Sequence, residues 1–463
     1  MTRTLDTDYL IVGTGAVGMA FADTLLSETD ADMVLVDRFA KPGGHWNDAY
    51  PFVTLHQPSA FYGVPSRELS RGTRDEVGLN RGLADLATGQ EVLGYFDAVM
   101  RERFLPSGRV RYFPMHDYLG DRTFVSKLTG ETYRVEADKV VDCTILKTSI
   151  PKTHRPNFEV EGGVRFIPPN DLPDIADAPD GFVVVGGGKT GIDTVLWLLE
   201  QGVEPKSVRW VMSRDAWWLD RANTQTHPDF FAQTIGAQVA QYEALAGAES
   251  AEDAFLRMEA GGYFHRLDPD VMPTMFHGAT VSRAEAEALR TVEVVRMGRV
   301  AKITPKEISL RDGTIPTTPE TVHVDCSATA IKNYTPVPVF DGDRITPQTV
   351  RPYQPVFSAS LIAHIEANHD DEAAKNELAE VVRLPDTLAD YFHFTRGAMM
   401  NQFRWSQDKS LREWIAANRL DGFSNMIAGA TAPEDKALLK RLRAAMPMAA
   451  MKLSHFIEET ADA

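Results

Sequence analysis

The residues of this sequence whose spacing most directly indicates chemistry are the glycines of two short segments. The first segment reads Gly13-Thr-Gly15-Ala-Val-Gly18 and follows the apolar run Tyr9–Val12. Glycine at these three positions permits a tight turn, a close approach of the backbone to a pyrophosphate, and close packing of a helix on a strand. Backbone N–H groups at the start of the next helix favour a bound anion. The segment is therefore typical of a dinucleotide-binding turn.

An acidic residue completes the first motif. Apolar residues at helical spacing from Met19 to Leu26 lead to a buried-strand pattern, Met33–Val36, which ends at Asp37. A carboxylate at this strand end can accept a hydrogen bond from an adenosine ribose hydroxyl. We therefore predict a βαβ unit whose dinucleotide contacts are Gly13, Gly15, Gly18, Asp37 and the adjacent Arg38.

A second copy of the pattern begins at the strand-like run Phe182–Val185. It continues through Gly186-Gly-Gly188-Lys-Thr-Gly191, and the next strand, Ser207–Met212, is followed by Ser213-Arg214. A hydroxyl and a guanidinium at this strand end would bind a ribose 2′-phosphate, which a carboxylate would repel. The second dinucleotide is therefore predicted to be NADPH rather than NADH, and its contacts are Gly186, Gly188, Lys189, Thr190, Gly191, Ser213 and Arg214.

Two such turns in one chain predict two dinucleotides that exchange electrons, FAD on the first turn and NADPH on the second. The second turn is not a P-loop. That motif requires a glycine six positions before its lysine, and the sequence has Val183 at this distance from Lys189.

The elements that must position these turns indicate an α/β fold class. It comprises two Rossmann-like dinucleotide-binding domains, an FAD domain with a β-meander and an inserted NADPH domain, plus a helical C-terminal region. Four strand-like runs between Gly/Asp turns predict the meander: Arg109–Phe113, Thr123–Leu128, Thr132–Val135 and Lys139–Cys143. The predicted divisions are 1–175 for the first part of the FAD domain (meander about 109–143), 176–335 for the NAD(P)H domain (helical insertion about 229–290), and 336–463 for the return to the FAD domain and the C-terminal helices.

Composition narrows the class of protein further. The 463 residues carry a net charge of −17 and no dense Lys/Arg run, so nucleic acid is not an expected partner. No apolar run approaches the roughly 20 residues of a membrane helix, and the first residues lack the apolar core of a signal peptide, so we expect a cytoplasmic protein without membrane association. Cys143 and Cys326 are too far apart in sequence for a CxxC pair, and no metal site is predicted.

One further motif is more specific than either glycine turn. The stretch Pro42-Gly43-Gly44-His45-Trp46, followed by Tyr50-Pro51, resembles the flavin-containing and Baeyer–Villiger monooxygenases. The order of segments over roughly residues 7–335 is also similar to that family. Departures are the absence of its Phe-x-Gly…His linker motif, where the sequence reads Phe166-Ile-Pro-Pro-Asn-Asp171, and the loss of glycine at the two domain crossings. The chain is therefore identified as a divergent member.

The resemblance implies a single-component flavoprotein monooxygenase. NADPH would reduce FAD, and a flavin peroxide formed with O₂ would transfer one oxygen atom to a small organic substrate. Gly44 and Trp46 would then contact the FAD. His56 and Gln57 would lie near the reactive edge of the flavin as candidate catalytic residues, since a histidine can donate or hold a proton near neutral pH. A structural loop histidine is the alternative for His56.

The sequence leaves two other functions open, and it also leaves open whether the protein forms a homodimer. The alternatives are a single-component flavin-dependent halogenase and an NAD(P)H-dependent flavin oxidase or reductase without oxygen insertion. A homodimer could form through two C-terminal helical segments, Thr431–Met446 and Lys452–Thr460.

Overall fold

The first glycine turn lies at the edge of a largely parallel sheet. The computed structural model describes residues 2–146, 148–329 and 335–461. The elements up to the first crossing are β1 (Thr2–Val12), α1 (Ala16–Glu28), β2 (Met33–Val36), β3 (Gly63–Val64), β4 (Arg67–Glu68), α2 (Gly89–Val99), β5 (Val110–Phe113), β6 (His116–Gly120), β7 (Thr123–Ser126) and β8 (Thr132–Asp142). Strands β8, β1, β2 and β5 lie side by side and parallel. All four residues of β2 are buried, as expected for a strand covered on both faces.

The meander is present with different limits from those predicted. It consists of β6, β7 and β8 in antiparallel pairing. The predicted first strand, Arg109–Phe113, is wrong as a meander strand, because β5 pairs in parallel with β2 instead. The two predicted strands at 132–135 and 139–143 are a single strand, β8, whose first half closes the meander and which pairs along β1.

The second glycine turn has its own parallel sheet, with strand order β10-β20-β11-β12-β16. The elements of this region are β9 (Glu159–Val160), β10 (Arg165–Ile167), β11 (Phe182–Val185), α3 (Lys189–Glu200), β12 (Val208–Val211), β13 (Trp218–Asp220), α4 (Phe231–Gly247), α5 (Ala251–Ala260), β14 (Phe264–His265), β15 (Thr280–Val281), α6 (Arg283–Leu289), β16 (Glu293–Val295), β17 (Val300–Ile303), β18 (Glu307–Leu310), β19 (Gly313–Pro316) and β20 (Val322–Asp325). Strands β9 and β17–β19 form a separate four-stranded sheet. The expected helical insertion contains α4, α5 and α6, together with the short strands β14 and β15.

The two parallel sheets are built alike. In the first, Val12 of β1 pairs with Asp142 of β8; in the second, Val185 of β11 pairs with Asp325 of β20. The central strand enters the glycine turn in each case, and the neighbouring strand leads to a domain crossing. The predicted pair of Rossmann-like units is confirmed.

The C-terminal region returns to the first sheet and is otherwise helical. Its elements are β21 (Phe340–Asp341), β22 (Arg344–Ile345), α7 (Pro355–Asn368), α8 (Glu372–Leu378), α9 (Leu388–Gln407), α10 (Lys409–Ala417), α11 (Ser424–Ala428) and α12 (Pro433–Ala461). Strand β22 pairs in parallel with β8. The two predicted terminal helices are one helix, α12, which continues through Pro447 and packs on α4 and α9 of the same chain. In the described part of the chain, no helix combines the length and apolarity needed to cross a membrane.

Helix α7 lies beside α1 and runs in the same direction. Thr24 Oγ1 is 2.8 Å from Ser360 Oγ, and Glu28 Oε2 is 2.6 Å from His364 Nδ1. Because both pairs are separated by 336 residues, the two helices advance together, and their N-termini lie at the same end. That end carries the first glycine turn.

Candidate functional site

Both glycine turns require glycine for steric reasons. A Cβ atom on Gly18 would lie 2.0 Å from the carbonyl oxygen of Gly13, and one on Gly191 would lie 2.0 Å from that of Gly186. Gly13 and Gly186 themselves have φ of 95° and 133°, which side-chain-bearing residues rarely adopt. The helix can therefore approach the strand closely at both turns, as the spacing of the glycines predicts.

The helices that follow the two turns begin with free donors. Within the described residues, the N-caps of α1 and α3 are Gly15 and Gly188, and neither helix has a side-chain cap or an acidic residue in its first turn. By contrast, α2, α6 and α9 are capped by their own Thr or Ser and an acidic side chain. Uncapped first-turn N–H groups fit an anionic pyrophosphate. The residues present at both turns thus suit the dinucleotides that the sequence predicts.

Asp37 is held against the first turn. Its Oδ2 accepts hydrogen bonds from Thr14 N at 2.6 Å and Thr14 Oγ1 at 2.7 Å, and its side chain is buried. The neighbouring Arg38 is exposed at the same strand end. The carboxylate therefore lies beside the turn, where a ribose would follow a bound pyrophosphate.

The backbone pairing refines the comparison of the two strand ends. Gly13 N donates to Val36 O, and Gly186 N donates to Val211 O, so the residue equivalent to Asp37 is Met212. The predicted equivalent, Ser213-Arg214, begins one residue after that position. The apolar Met212 still leaves this strand end without a carboxylate, and Ser213 is exposed directly after it.

The two crossings have the same local structure. Asp142 Oδ1 accepts from the backbone N and the hydroxyl of Thr144, and Asp325 Oδ1 accepts in the same way from Ser327. The cysteine between each pair packs on the nearby glycine turn or its helix. Burial raises the pKa of both Cys143 and Cys326, which suits small packed residues better than nucleophiles.

The Gly-Gly-x-Trp segment packs on the first turn. A Cβ atom on Gly44 would lie 2.9 Å from the Cα of Gly15, and Gly43 N donates to Thr14 O at 2.8 Å. Trp46 is buried and donates from Nε1 to Tyr62 Oη at 2.8 Å. The glycine pair is thus explained by contact between two backbones, and Trp46 fixes the loop that follows.

That loop then reaches the second unit. Tyr50 Oη donates to Asp193 Oδ2 on α3 at 2.6 Å, and Lys189 forms an ion pair with the other oxygen of Asp193. Phe52 stacks on Trp197 of the same helix, with ring centroids 4.7 Å apart. Lys189 was predicted from the second turn, whereas Asp193 was missed, although its i,i+4 spacing from Lys189 was a visible signal.

His56 lies where the two units meet. Its backbone oxygen accepts a 2.7 Å hydrogen bond from Arg221 Nη1, and Arg221 is buried and paired with Glu285. The imidazole is exposed to solvent, yet the surrounding protein, together with Lys189, Arg221 and His45, holds its pKa well below the ordinary value. The side chain is thus accessible at the junction between the two units, which we call the cleft. The adjacent Gln57 is half-buried.

A second helix terminus faces the first turn. Since α7 runs parallel to α1, the residue before it, Gln354, lies at the same edge as Gly15. Gln354 is buried, and its Oε1 finds no hydrogen-bond partner among the described residues. No motif in the sequence marks this residue.

Arg214 makes contacts that the sequence did not suggest. Its guanidinium is paired with Asp386, which also contacts His277. The two adjacent tryptophans, Trp217 and Trp218, are buried in separate apolar clusters, so they belong to the core of this region.

Comparisons with known proteins agree with this architecture. No protein-family model matches the chain. Uncharacterized proteins of Mycobacterium bovis and Mycobacterium tuberculosis are 44% identical over 427 residues, which is 92% of this chain and 79% of theirs.

Solved structures with a similar fold include two monooxygenases. Cyclohexanone-bound cyclohexanone monooxygenase is 15% identical, with a TM-score of 0.51 over 79% of this chain and 86% of that one. Oxidized steroid monooxygenase bound to NADP is also 15% identical, with a TM-score of 0.50 over 78% of this chain and 84% of that one. The chain belongs to the same family as the mycobacterial proteins, and its fold is that of the cyclohexanone and steroid monooxygenases.

Proposed function

We propose that the protein is an NADPH- and FAD-dependent monooxygenase that transfers one oxygen atom of O₂ to a small organic substrate. The observation that carries this proposal is the pairing of two equivalent nucleotide turns through one loop, residues 43–57. That loop packs on the first turn at Gly44, bonds to the helix of the second turn through Tyr50, and ends at His56 in the cleft. A binding protein for a single nucleotide would need neither the second turn nor this connection.

The first unit is proposed to hold FAD. Gly13, Gly15 and Gly18 bring the start of α1 to the pyrophosphate, Asp37 and Arg38 lie at the ribose, and Gly44 and Trp46 support the loop beside the turn. Bound FAD would supply the chemistry of accepting a hydride and passing electrons to O₂. We retain the division into 1–175, 176–335 and 336–463 as part of this proposal.

The second unit is proposed to hold NADPH. The free N–H groups after Gly186 and Gly188, up to Gly191, face the pyrophosphate, and the Thr190 hydroxyl and Lys189 ammonium add donors. Ser213 and Arg214 would contact a 2′-phosphate. The ion pair with Asp193 fixes the direction of Lys189.

His56 and Gln57 are proposed to act in the cleft. Because the pKa of His56 is lowered, the imidazole is neutral at pH 7 and can both accept and donate a hydrogen bond. It can therefore orient a polar group and return a proton to it. Trp46 and Tyr50, which are buried in the same loop, are proposed to exclude water from one side of the cleft.

The test uses the purified chain supplied with FAD. We expect a yellow protein that is bleached by NADPH without air. With ¹⁸O₂ and a panel of ketones, amines and sulfides, we expect one ¹⁸O atom in a product for each NADPH consumed. A colourless protein that takes up no FAD and is not bleached contradicts the proposal. Release of all electrons as hydrogen peroxide with every substrate would indicate an oxidase, and bromide-dependent brominated products would indicate a halogenase.

A further inference from the structure

Asp386 contacts the arginine that is proposed to bind the 2′-phosphate. It precedes α9, and its Oδ1 lies 2.9 Å from Arg214 Nη2, while its Oδ2 lies 3.4 Å from Nη1. His277 Nε2 is 2.6 Å from the same Oδ1. The side chains of Arg214 and Asp386 are each 35% exposed, so a dissolved ligand can reach them.

The carboxylate uses the face of Arg214 that a phosphate would use. A guanidinium presents its N–H groups as a planar fork, and carboxylate and phosphate oxygens both bind that fork in pairs. Two anions cannot occupy the same fork without strong repulsion. A 2′-phosphate must therefore displace Asp386 or share Arg214 with it.

The backbone keeps Asp386 at this place. Its carbonyl oxygen accepts from Phe276 N at 3.1 Å, and its N donates to Asp390 Oδ2 at 3.2 Å. Asp390 in turn belongs to the capping box of α9 with Thr387. The carboxylate is thus presented to Arg214 from a residue whose backbone N and O are both hydrogen-bonded.

The carboxylate is also charged at neutral pH. Partial burial alone would raise the pKa of Asp386, but the hydrogen bonds and charges of Arg214 and His277 outweigh it, so the pKa lies below the ordinary value. A competing anion is therefore present under assay conditions.

We propose that Asp386 is a specificity-determining residue of the nicotinamide dinucleotide site, an internal carboxylate that competes with the 2′-phosphate for Arg214. This inference rests on the proposed function, since it takes Arg214 as the 2′-phosphate contact. As a result, the chain prefers NADPH over NADH less strongly than it would if Arg214, beside Ser213, had no carboxylate partner. The preference is set by residues 172 positions apart in sequence.

The experiment measures binding rather than turnover. The probes are adenosine 2′,5′-bisphosphate and adenosine 5′-monophosphate, titrated calorimetrically into the FAD-loaded protein. Asp386→Asn removes the charge and keeps the shape, and we expect it to bind the bisphosphate about fivefold more tightly, as for loss of a partly exposed ion pair. Affinity for the monophosphate should stay the same. Asp386→Ala should change the bisphosphate affinity in the same direction.

The matched control is Asp268→Asn. Asp268 is 34% exposed and lies 3.4 Å from a different arginine, Arg296, so this variant should leave both affinities unchanged. Equal bisphosphate affinity in the wild type and both Asp386 variants would overturn the inference. If Arg214→Gln then still lowers bisphosphate affinity, the NADPH site itself stands. If Arg214→Gln also has no effect, the assignment of Arg214 in the proposed function fails, and the inference fails with it.

Discussion

Tyr50 and Asp193 lie 143 residues apart in sequence, and a 2.6 Å hydrogen bond joins them across the boundary between the two nucleotide units. Burial, reinforced by the charge of Asp193, raises the pKa of Tyr50 well above its ordinary value, so the phenol remains a donor at any working pH. One side chain from the first unit is thus bonded to α3, which begins directly after the second glycine turn.

Replacing Tyr50 with phenylalanine should loosen this connection. A hydrogen bond to a charged group contributes about 1.5–3 kcal/mol, and each 1.4 kcal/mol changes a rate about tenfold. We expect Tyr50→Phe to keep FAD bound and to slow its anaerobic reduction by NADPH about tenfold in stopped-flow absorbance. The control is Tyr133→Phe, because Tyr133 also donates to a carboxylate, Glu131 at 2.8 Å, but in the meander. Equal reduction rates in wild type and Tyr50→Phe would contradict this role.

A side chain added to one glycine turn should weaken the binding of one dinucleotide and leave the binding of the other unchanged. Because the added Cβ of Gly191→Ala would overlap a backbone oxygen, α3 must move away from β11, and we expect NADPH binding to fall more than tenfold while the protein stays yellow. Gly18→Ala should instead lose FAD.

The control for both glycine variants is Gly236→Ala, a helical position where the added Cβ meets no atom within 4 Å. Bound FAD is followed by absorbance and NADPH binding by titration. If Gly18→Ala retained FAD and lost only NADPH, the assignment of the two turns would have to be reversed.

His56 can be separated from a merely structural loop histidine by following where the electrons go. We expect His56→Ala to bind FAD and to be reduced by NADPH at a normal rate, but to release several times more hydrogen peroxide per NADPH, since the hydrogen-bonding imidazole is gone from the cleft. Peroxide and NADPH are measured in the same assay. His455→Ala, at an exposed position on α12, is the control. Unchanged coupling in His56→Ala would leave only the structural role.

A buried histidine should make the fold sensitive to acid. Burial, with a smaller contribution from Arg283, lowers the pKa of His265 to about 4, whereas an unfolded histidine titrates near 6.5. Between pH 4 and 6.5 the unfolded chain binds more protons than the folded chain. The contribution of neutral His265 to the free energy of unfolding is therefore fully present above about pH 6.5 and is lost as the pH falls toward 4. The loss is up to about 1.4 kcal/mol for each pH unit.

We expect His265→Gln to have a flatter dependence of unfolding free energy on pH than the wild type, measured by denaturant titration at pH 7.5 and 5. The exposed His455→Gln serves as the matched removal of a histidine. A slope that is the same for His265→Gln and the wild type would show that His265 does not contribute to the acid sensitivity.

Local patterns were sufficient to predict much of the fold. The strands Met33–Val36 and Phe182–Val185 have the predicted limits, because short runs of buried apolar residues between glycine or polar turns leave few alternatives. The limits of the meander strands were harder to predict. Glu136 and Asp138 interrupt the apolar pattern of β8, so one strand with an exposed middle looked like two.

The contacts that complete the site could not be predicted from local sequence patterns. Asp193 and Asp386 bind partners that are far away in sequence, and nothing in their neighbourhood indicates which partner the fold will bring near. The comparison of Asp37 with Ser213 was one residue off for a related reason. The equivalence of two strand ends is fixed by backbone pairing, which spacing from the glycines only approximates.

The nested arrangement of the two sheets also bears on the order of biosynthesis. The sheet around β11 is complete once residue 325 has been made, and it consists of one continuous stretch of chain. Strand β8, by contrast, gains β22 only after residue 345, and helix α1 gains α7 only after residue 368. We therefore expect the inner unit to close on the ribosome while β8 still lacks β22 and α1 still lacks α7, so a chain stopped between these points would expose β8 and α1 rather than the inner unit.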